Sequence, residues 1–211
     1  MPKTIDDKLL EGRQYRGFTV SKENLRTLED GQKVVEGYAT VFNTPYVLYQ
    51  DSGMTIREQI APEAFDGCDL SDVIMQYDHA GHVYARTANQ TLEVTPDDIG
   101  LKTRSFLDGT TIGRQLYEEI DGGYTTKMSF GFIIGERRKE TVTDEETGHT
   151  DILVTITRIT KLFDVSAVSL PANDATSISA RNLCDGVIAE VREECLQRRR
   201  KVTKIKLLLE D

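Results

Sequence analysis

Between positions 126 and 134 the chain alternates with period two. Met128, Phe130, Phe132 and Ile134 form an apolar row, while Lys127, Ser129 and Gly131 point to the opposite face. Comparable β-branched and aromatic runs, closed by turn residues, predict further strands at 34–42, 55–60, 73–77, 91–94, 101–106, 152–159 and 163–170. About eight strands are too many for a doubly wound α/β sheet of this length. A mainly β fold with peripheral helices is expected, as a mainly antiparallel barrel or sandwich.

Two segments change period. Ile112, Leu116 and Ile120 recur at helical spacing over 111–120, and Asp121-Gly122-Gly123 ends that helix. Val187, Ile188, Val191, Cys195 and Leu196 trace one apolar face of a second helix over about 185–197. The polar run 143–150 reads as a charged hairpin loop. The body is expected to end near Pro171-Ala172-Asn173, which divides the chain into a domain at 1–180 and a charged, helical extension at 181–211.

Composition removes whole classes of function. With 38% hydrophobic residues and no apolar run near the ~20 residues that cross a bilayer, no membrane span is expected. The start, Met1-Pro2-Lys3-Thr4-Ile5, lacks the apolar stretch of a secretory signal, so a cytoplasmic setting is expected. Cys68, Cys184 and Cys195 are odd in number and match no zinc or disulfide spacing, which favours free thiols. A net charge of −9 argues against a nucleic-acid-binding surface over the whole molecule.

Three residue types that together make a serine hydrolase fall on separate predicted strands. Ser129 lies on the less apolar face of its strand, two residues before Gly131, whose missing side chain leaves room for a substrate backbone. An ordinary half-exposed strand serine is the plain alternative. His79 follows the run Val73-Ile74-Met75-Gln76-Tyr77-Asp78, at a strand end where its ordinary pKa near 6.5 suits proton transfer. His82, three residues on, competes for that role, and Asp78, His79 and His82 outline an incomplete metal site. His149 reads as a solvated loop residue. Asp164 interrupts the apolar run Leu162-Phe163-Asp164-Val165, where a carboxylate needs a partner unless it faces water.

An ordered set of motifs adds a resemblance. The stretches Glu36-Gly37-Tyr38-Ala39-Thr40-Val41-Phe42-Asn43 and Ile56-Arg57-Glu58-Gln59-Ile60-Ala61-Pro62-Glu63-Ala64-Phe65 open it. Gln76-Tyr77-Asp78-His79, Val83-Tyr84-Ala85-Arg86-Thr87 with Ile99-Gly100-Leu101, and Lys127-Met128-Ser129-Phe130-Gly131-Phe132 follow in order. Phe163-Asp164-Val165-Ser166-Ala167-Val168-Ser169-Leu170-Pro171-Ala172-Asn173 closes the set. In this order they resemble the HK97-type phage prohead, or capsid maturation, serine protease family. The chain departs from the family's pattern at Ala80, at Ala85 and at Asp164, where the family often has an acidic residue, Gly and Glu.

The resemblance implies an antiparallel β-barrel similar to herpesvirus assemblins. It implies His79 as base, Ser129 as nucleophile and Asp164 as the residue that orients His79. It also implies a homo-oligomeric endopeptidase, without metal or organic cofactor, that processes the major capsid protein and its scaffold segment inside the prohead in the host cytoplasm. Backbone N–H groups near Ser129 are the expected oxyanion donors, with Arg137 and Arg138 as a second source or as surface charges. The basic run Arg198-Arg199-Arg200-Lys201-Val202-Thr203-Lys204-Ile205-Lys206 reads either as helix-end packing or as a docking tail removed by self-processing. Two other readings remain open: a non-catalytic capsid assembly or scaffold protein that retains the fold, and a metal-dependent hydrolase built on His79 and His82.

Overall fold

The computed structural model describes residues 13–20, 22–29, 31–169, 186–191, 193, 194, 196, 197, 200 and 201. Its strands are β1 (Gln14–Thr19), β2 (Leu25–Thr27), β3 (Lys33–Val41), β4 (Tyr46–Gln50), β5 (Met54–Ile60) and β6 (Ile74–Tyr77). They continue with β7 (Ala80–Arg86), β8 (Leu92–Pro96), β9 (Gly100–Phe106), β10 (Lys127–Thr143) and β11 (Thr150–Val168), with helix α1 at Thr111–Asp121 between β9 and β10. The fold is mainly β, as the periodicity predicts.

β10 and β11 form a long antiparallel ribbon. The charged loop joins them as expected: Asp144 Oδ1 accepts the N–H groups of Glu146 and Thr147, and Gly148 takes a positive φ of 71°. The two predicted strands 152–159 and 163–170 are one strand here. Register shifts between Gly131 and Arg137 leave β11 residues such as Thr160 and Phe163 unpaired with β10, so the alternation slips phase without the strand ending.

The ribbon sits inside a seven-stranded sheet ordered β1-β10-β11-β5-β4, with β6 and β7 continuing from β11. β5 pairs parallel with the first half of β11, from Met54 opposite Thr150 to Ile60 opposite Ile156. After a short 3₁₀ turn at Pro62–Phe65, β6 pairs parallel with its second half, Ile74 opposite Asp164 and Tyr77 opposite Ala167. The sheet is therefore mixed, with two parallel pairings along β11 among otherwise antiparallel ones, which qualifies the expectation of an antiparallel barrel. A second, antiparallel sheet has the order β2-β3-β9-β8.

The main core lies between these sheets. The row Met128, Phe130, Phe132 and Ile134 meets Val35, Ala39, Leu92 and Leu101 of the smaller sheet, with Leu116 and Ile120 of α1. Each of these side chains larger than alanine contributes about 1.5–3 kcal/mol when removed from water. Thr110 caps α1, its side chain accepting the Gly113 N–H. A smaller cluster of Leu48, Ile56, Ile152 and Val154 is covered by Val187, from the helical residues 186–191. Ion pairs from Arg137 and Lys139 to Glu190 hold that helix on β10. The expected body end at Pro171-Ala172-Asn173, the division at 180/181, Cys184, Cys195, Arg198-Arg199 and Val202-Thr203-Lys204-Ile205-Lys206 lie outside the described residues.

No closed barrel forms among the described strands, contrary to the expectation. A cleft of about 250 Å³ separates β1 from β3, lined by Arg16, Phe18, Tyr38, Thr40, Tyr46 and Phe130. Side chains do the bridging that a ladder would do. Arg16, on β1 and 1% exposed, donates to both carboxylate oxygens of fully buried Glu58 on β5, at 2.5 and 2.8 Å. Tyr46 on β4 donates its hydroxyl to Glu58 Oε1 at 2.5 Å. β1 is thus joined to β5 by one buried ion pair, and β4 bonds the same carboxylate through Tyr46.

This pair yields a stability prediction. Removing one partner strands the other charge in the interior, which costs about 3–5 kcal/mol. Glu58→Ala is expected to lower the unfolding free energy by that amount in urea titrations, and a loss below about 1 kcal/mol counts against the pair as the clasp of the sheet.

Candidate active site

Strand register gathers one face of the sheet into a polar patch. In β10, Ser129 lies opposite Gly17 of β1 and Ser166 of β11, and Gly131 lies opposite Tyr15 and Asp164. Because neighbours opposite each other in a pleated sheet share a face, Tyr15, Gly17, Ser129, Gly131, Asp164 and Ser166 all face away from the main core. Two of the six are glycines, so the patch has a floor of backbone at its middle. A Cβ on Gly131 would lie 2.6 Å from Arg13 Nε and 3.0 Å from Asp164 Oδ2, so only glycine leaves the passage by which Arg13 crosses β10.

His79 reaches this face from a neighbouring hairpin. β6 and β7 are joined by Asp78-His79, with φ of 48° and 58°. Positive φ at both central residues is the geometry of a type I′ turn, whose twist matches the strands. Asp and His are among the non-glycine residues that tolerate it best. The turn is pinned to the end of β11: Asp78 N–H donates to Ala167 O at 2.8 Å, and Asp78 Oδ1 accepts the Ser169 N–H at 2.8 Å. The imidazole is thereby swung back over the sheet.

There His79 meets Asp164, with Nδ1 2.7 Å from Oδ1. Asp164 is 0% exposed and has two further partners. Ser166 donates its hydroxyl to Oδ1 at 2.9 Å, and the Arg13 guanidinium forms an ion pair with Oδ2. Tyr15 packs its ring on His79 with centroids 4.3 Å apart, and Arg13 lies over the Phe163 ring. Burial, reinforced by the positive charge of Arg13, pushes His79 down to about 4. The neighbouring Asp78 carboxylate opposes this more weakly. The imidazole is therefore neutral near pH 7, with Nδ1–H donated to Asp164 and the Nε2 lone pair free.

Ser129 is 0% exposed, so the half-exposed reading is corrected: the predicted face is right, but it is covered. Its Oγ and the Nε2 of His79 are buried without hydrogen-bond partners, and the two are not bonded to each other. Catalytic hydrogen bonds are often loose before substrate binds. Of the other candidates, His82 is exposed on β7. His149 bonds Thr55 through Nε2 at 2.9 Å and ties the ribbon's tip to β5. Arg137 is engaged by Glu190, and Arg138 lies near Glu140 on the surface, so neither arginine is directed at Ser129. Among the described residues, no group of three or more His, Cys, Asp or Glu is placed to hold a metal ion.

Sequence reasoning missed Arg13, Tyr15 and Ser166 as parts of this site. The signal for Ser166 was at hand, since it stands two residues from Asp164 on the same strand face. Arg13 precedes, and Tyr15 lies within, a strand that the hydrophobic pattern did not reveal.

No curated protein matches the chain. A solved structure of the bacteriophage T4 capsid assembly protease, gp21, is similar at 10% identity and a TM-score of 0.39. The likeness covers 74% of this chain and 96% of that one. The profile of the caudovirus prohead serine proteases matches residues 20–187, well over half of the 211. On that match, the chain belongs to the caudovirus prohead serine protease family.

Proposed function

We propose that the chain is a Ser-His-Asp endopeptidase that processes the major capsid protein and its scaffold segment inside the prohead. The observation that carries this reading is the Nδ1–Oδ1 contact of His79 with buried Asp164, beside the face that bears Ser129. Membership of the prohead serine protease family supports the reaction class. The chemistry then follows from the atoms. His79 Nε2, its tautomer fixed by Asp164, removes the Ser129 Oγ proton as the hydroxyl attacks the scissile carbonyl. The proton passes to the departing amine, and water repeats the sequence on the acyl-enzyme.

Because Ser129 is fully covered, the site opens before a peptide reaches it. The same activity acts on the chain itself in a homo-oligomer, and no metal or organic cofactor takes part. A non-catalytic assembly role is favoured by one observation, the closure of the site over Ser129, and mutagenesis separates it from the protease reading.

Ser129→Ala is expected to stop cleavage of capsid protein from the same genome, with new termini mapped by mass spectrometry. The loss is on the order of 10⁴-fold or more. His79→Ala is expected to match it, whereas His82→Ala costs at most about tenfold, since an exposed neighbour cannot replace a positioned base. Asp164→Asn should retain the fold and lose about 10⁴-fold by favouring the wrong tautomer. Near-normal turnover in any of Ser129→Ala, His79→Ala or Asp164→Asn sinks the triad.

The depressed His79 sets the pH response. A base acts only when neutral, so kcat/KM is expected to persist below the ordinary histidine range and to fall as pH drops through about 4. Stability moves with the same sign. The unfolded chain, with an ordinary pKa near 6.5, binds the extra proton first, so stability declines as pH falls from about 6.5 toward 4. An acid limb centred near 6.5 in initial-rate profiles contradicts the buried, Arg13-facing environment of His79.

A further inference from the structure

We infer that Ser166 is a positioning residue of the hydrolytic site, whose hydroxyl fixes the Asp164 carboxylate in the orientation that receives His79 Nδ1–H. The inference rests on the Ser-His-Asp reading and adds a fourth residue to it.

Ser166 is fully buried between Val165 and Ala167, at a position where alanine would satisfy the strand and its packing. A buried hydroxyl is costly to desolvate unless it is bonded. This one has both of its roles assigned. Its oxygen accepts the backbone N–H of Gln76, on β6, at 3.2 Å. Its proton is then free to go to Asp164 Oδ1 at 2.9 Å. An ionised carboxylate can only accept, so the direction of that bond is fixed.

Oδ1 is also the oxygen that meets His79. Ser166 and His79 therefore converge on one atom, and each limits the torsion of the Asp164 side chain in favour of the other. Arg13 cannot replace this contact, because it engages Oδ2. β6 is common to the whole arrangement: Gln76 orients Ser166, and three residues later the turn delivers His79. The chain of contacts runs from a backbone amide through Ser166 to Asp164 and on to His79. Ser166 also lies directly opposite Ser129 on β10, but its hydroxyl is committed to Asp164 and is not a second nucleophile.

A purely structural Ser166 would only satisfy the Gln76 N–H. The two roles separate in kinetics. With capsid protein from the same genome as substrate, Ser166→Ala is expected to lower kcat by about 10- to 100-fold and leave KM within about twofold, the scale of a small misplacement of a catalytic group. Its acid limb is expected to move to higher pH, because a carboxylate without the Ser166 donor has more of its charge left to stabilise the His79 imidazolium. Ser166→Thr, which keeps the hydroxyl, is expected to recover most of kcat and the wild-type limb. Thermal melts of both variants report the folded fraction to which the rates are normalised.

The inference is overturned if Ser166→Ala retains wild-type kcat per folded molecule while Ser129→Ala is inactive. It is equally overturned if kcat falls but the acid limb stays in place and Ser166→Thr gives no recovery. Turnover that survives in Ser129→Ala is a different failure, because it removes the triad reading on which this inference stands.

Discussion

A carboxylate with no exposure to water, Asp164, is the constraint around which the site is organised. Burying an ionised carboxyl costs several kcal/mol unless its oxygens are paired and hydrogen-bonded. Each partner here comes by a different route. Ser166 comes from the same strand, His79 from the turn after β6, and Arg13 from just before β1. The placement of β6 beside the second half of β11 matters for this reason. Had β5 run on along the whole of β11, no turn would end next to Asp164, and the carboxylate would lack its imidazole.

The edge strand β1 links this site to the integrity of the sheet. Its alternate residues serve opposite faces: Tyr15 packs on His79, whereas Arg16 turns toward the core and clasps Glu58. Two charged assemblies therefore lie on opposite faces of β1, one joining it to β5 and one holding the site. Among the described residues β1 pairs with one strand, β10. The side chains on both of its faces add attachments to that ladder.

The same strand shows why part of the fold could not be read from the sequence. In β1 the buried row includes Gln14 and Arg16, so hydrophobic periodicity fails where the inward residues are polar. β7 was missed for the opposite reason, being exposed over most of its length, and β4 is short with apolar residues on both faces. The bulges in the ribbon made β11 look like two strands. Where the core row was strongly apolar, as at Met128, Phe130, Phe132 and Ile134, face and strand were both legible. His79 and Asp164 were legible too, one by its position after a strand and one as a charge in an apolar run. The unclosed barrel was not legible, because closure depends on whether two edges bond, and here a long-range ion pair takes that place.

The cover over Ser129 and the half-buried position of His79 also bear on how a depressed histidine acts in the proposed mechanism. With His79 neutral, the Asp164 charge is balanced by Arg13, and a proton arriving from solvent adds an uncompensated positive charge beside a guanidinium. Desolvation first, and this repulsion second, keep the imidazole from taking up a proton at rest. Proton transfer from Ser129 is a different event, because the imidazolium forms together with a negative charge on the oxygen of the tetrahedral intermediate. The site's net charge is then unchanged, and in a low-dielectric interior the two opposite charges stabilise each other strongly. The environment that excludes solvent protons therefore imposes no equal penalty on the catalytic one. Affinity for a proton is raised only when the nucleophile gives one up.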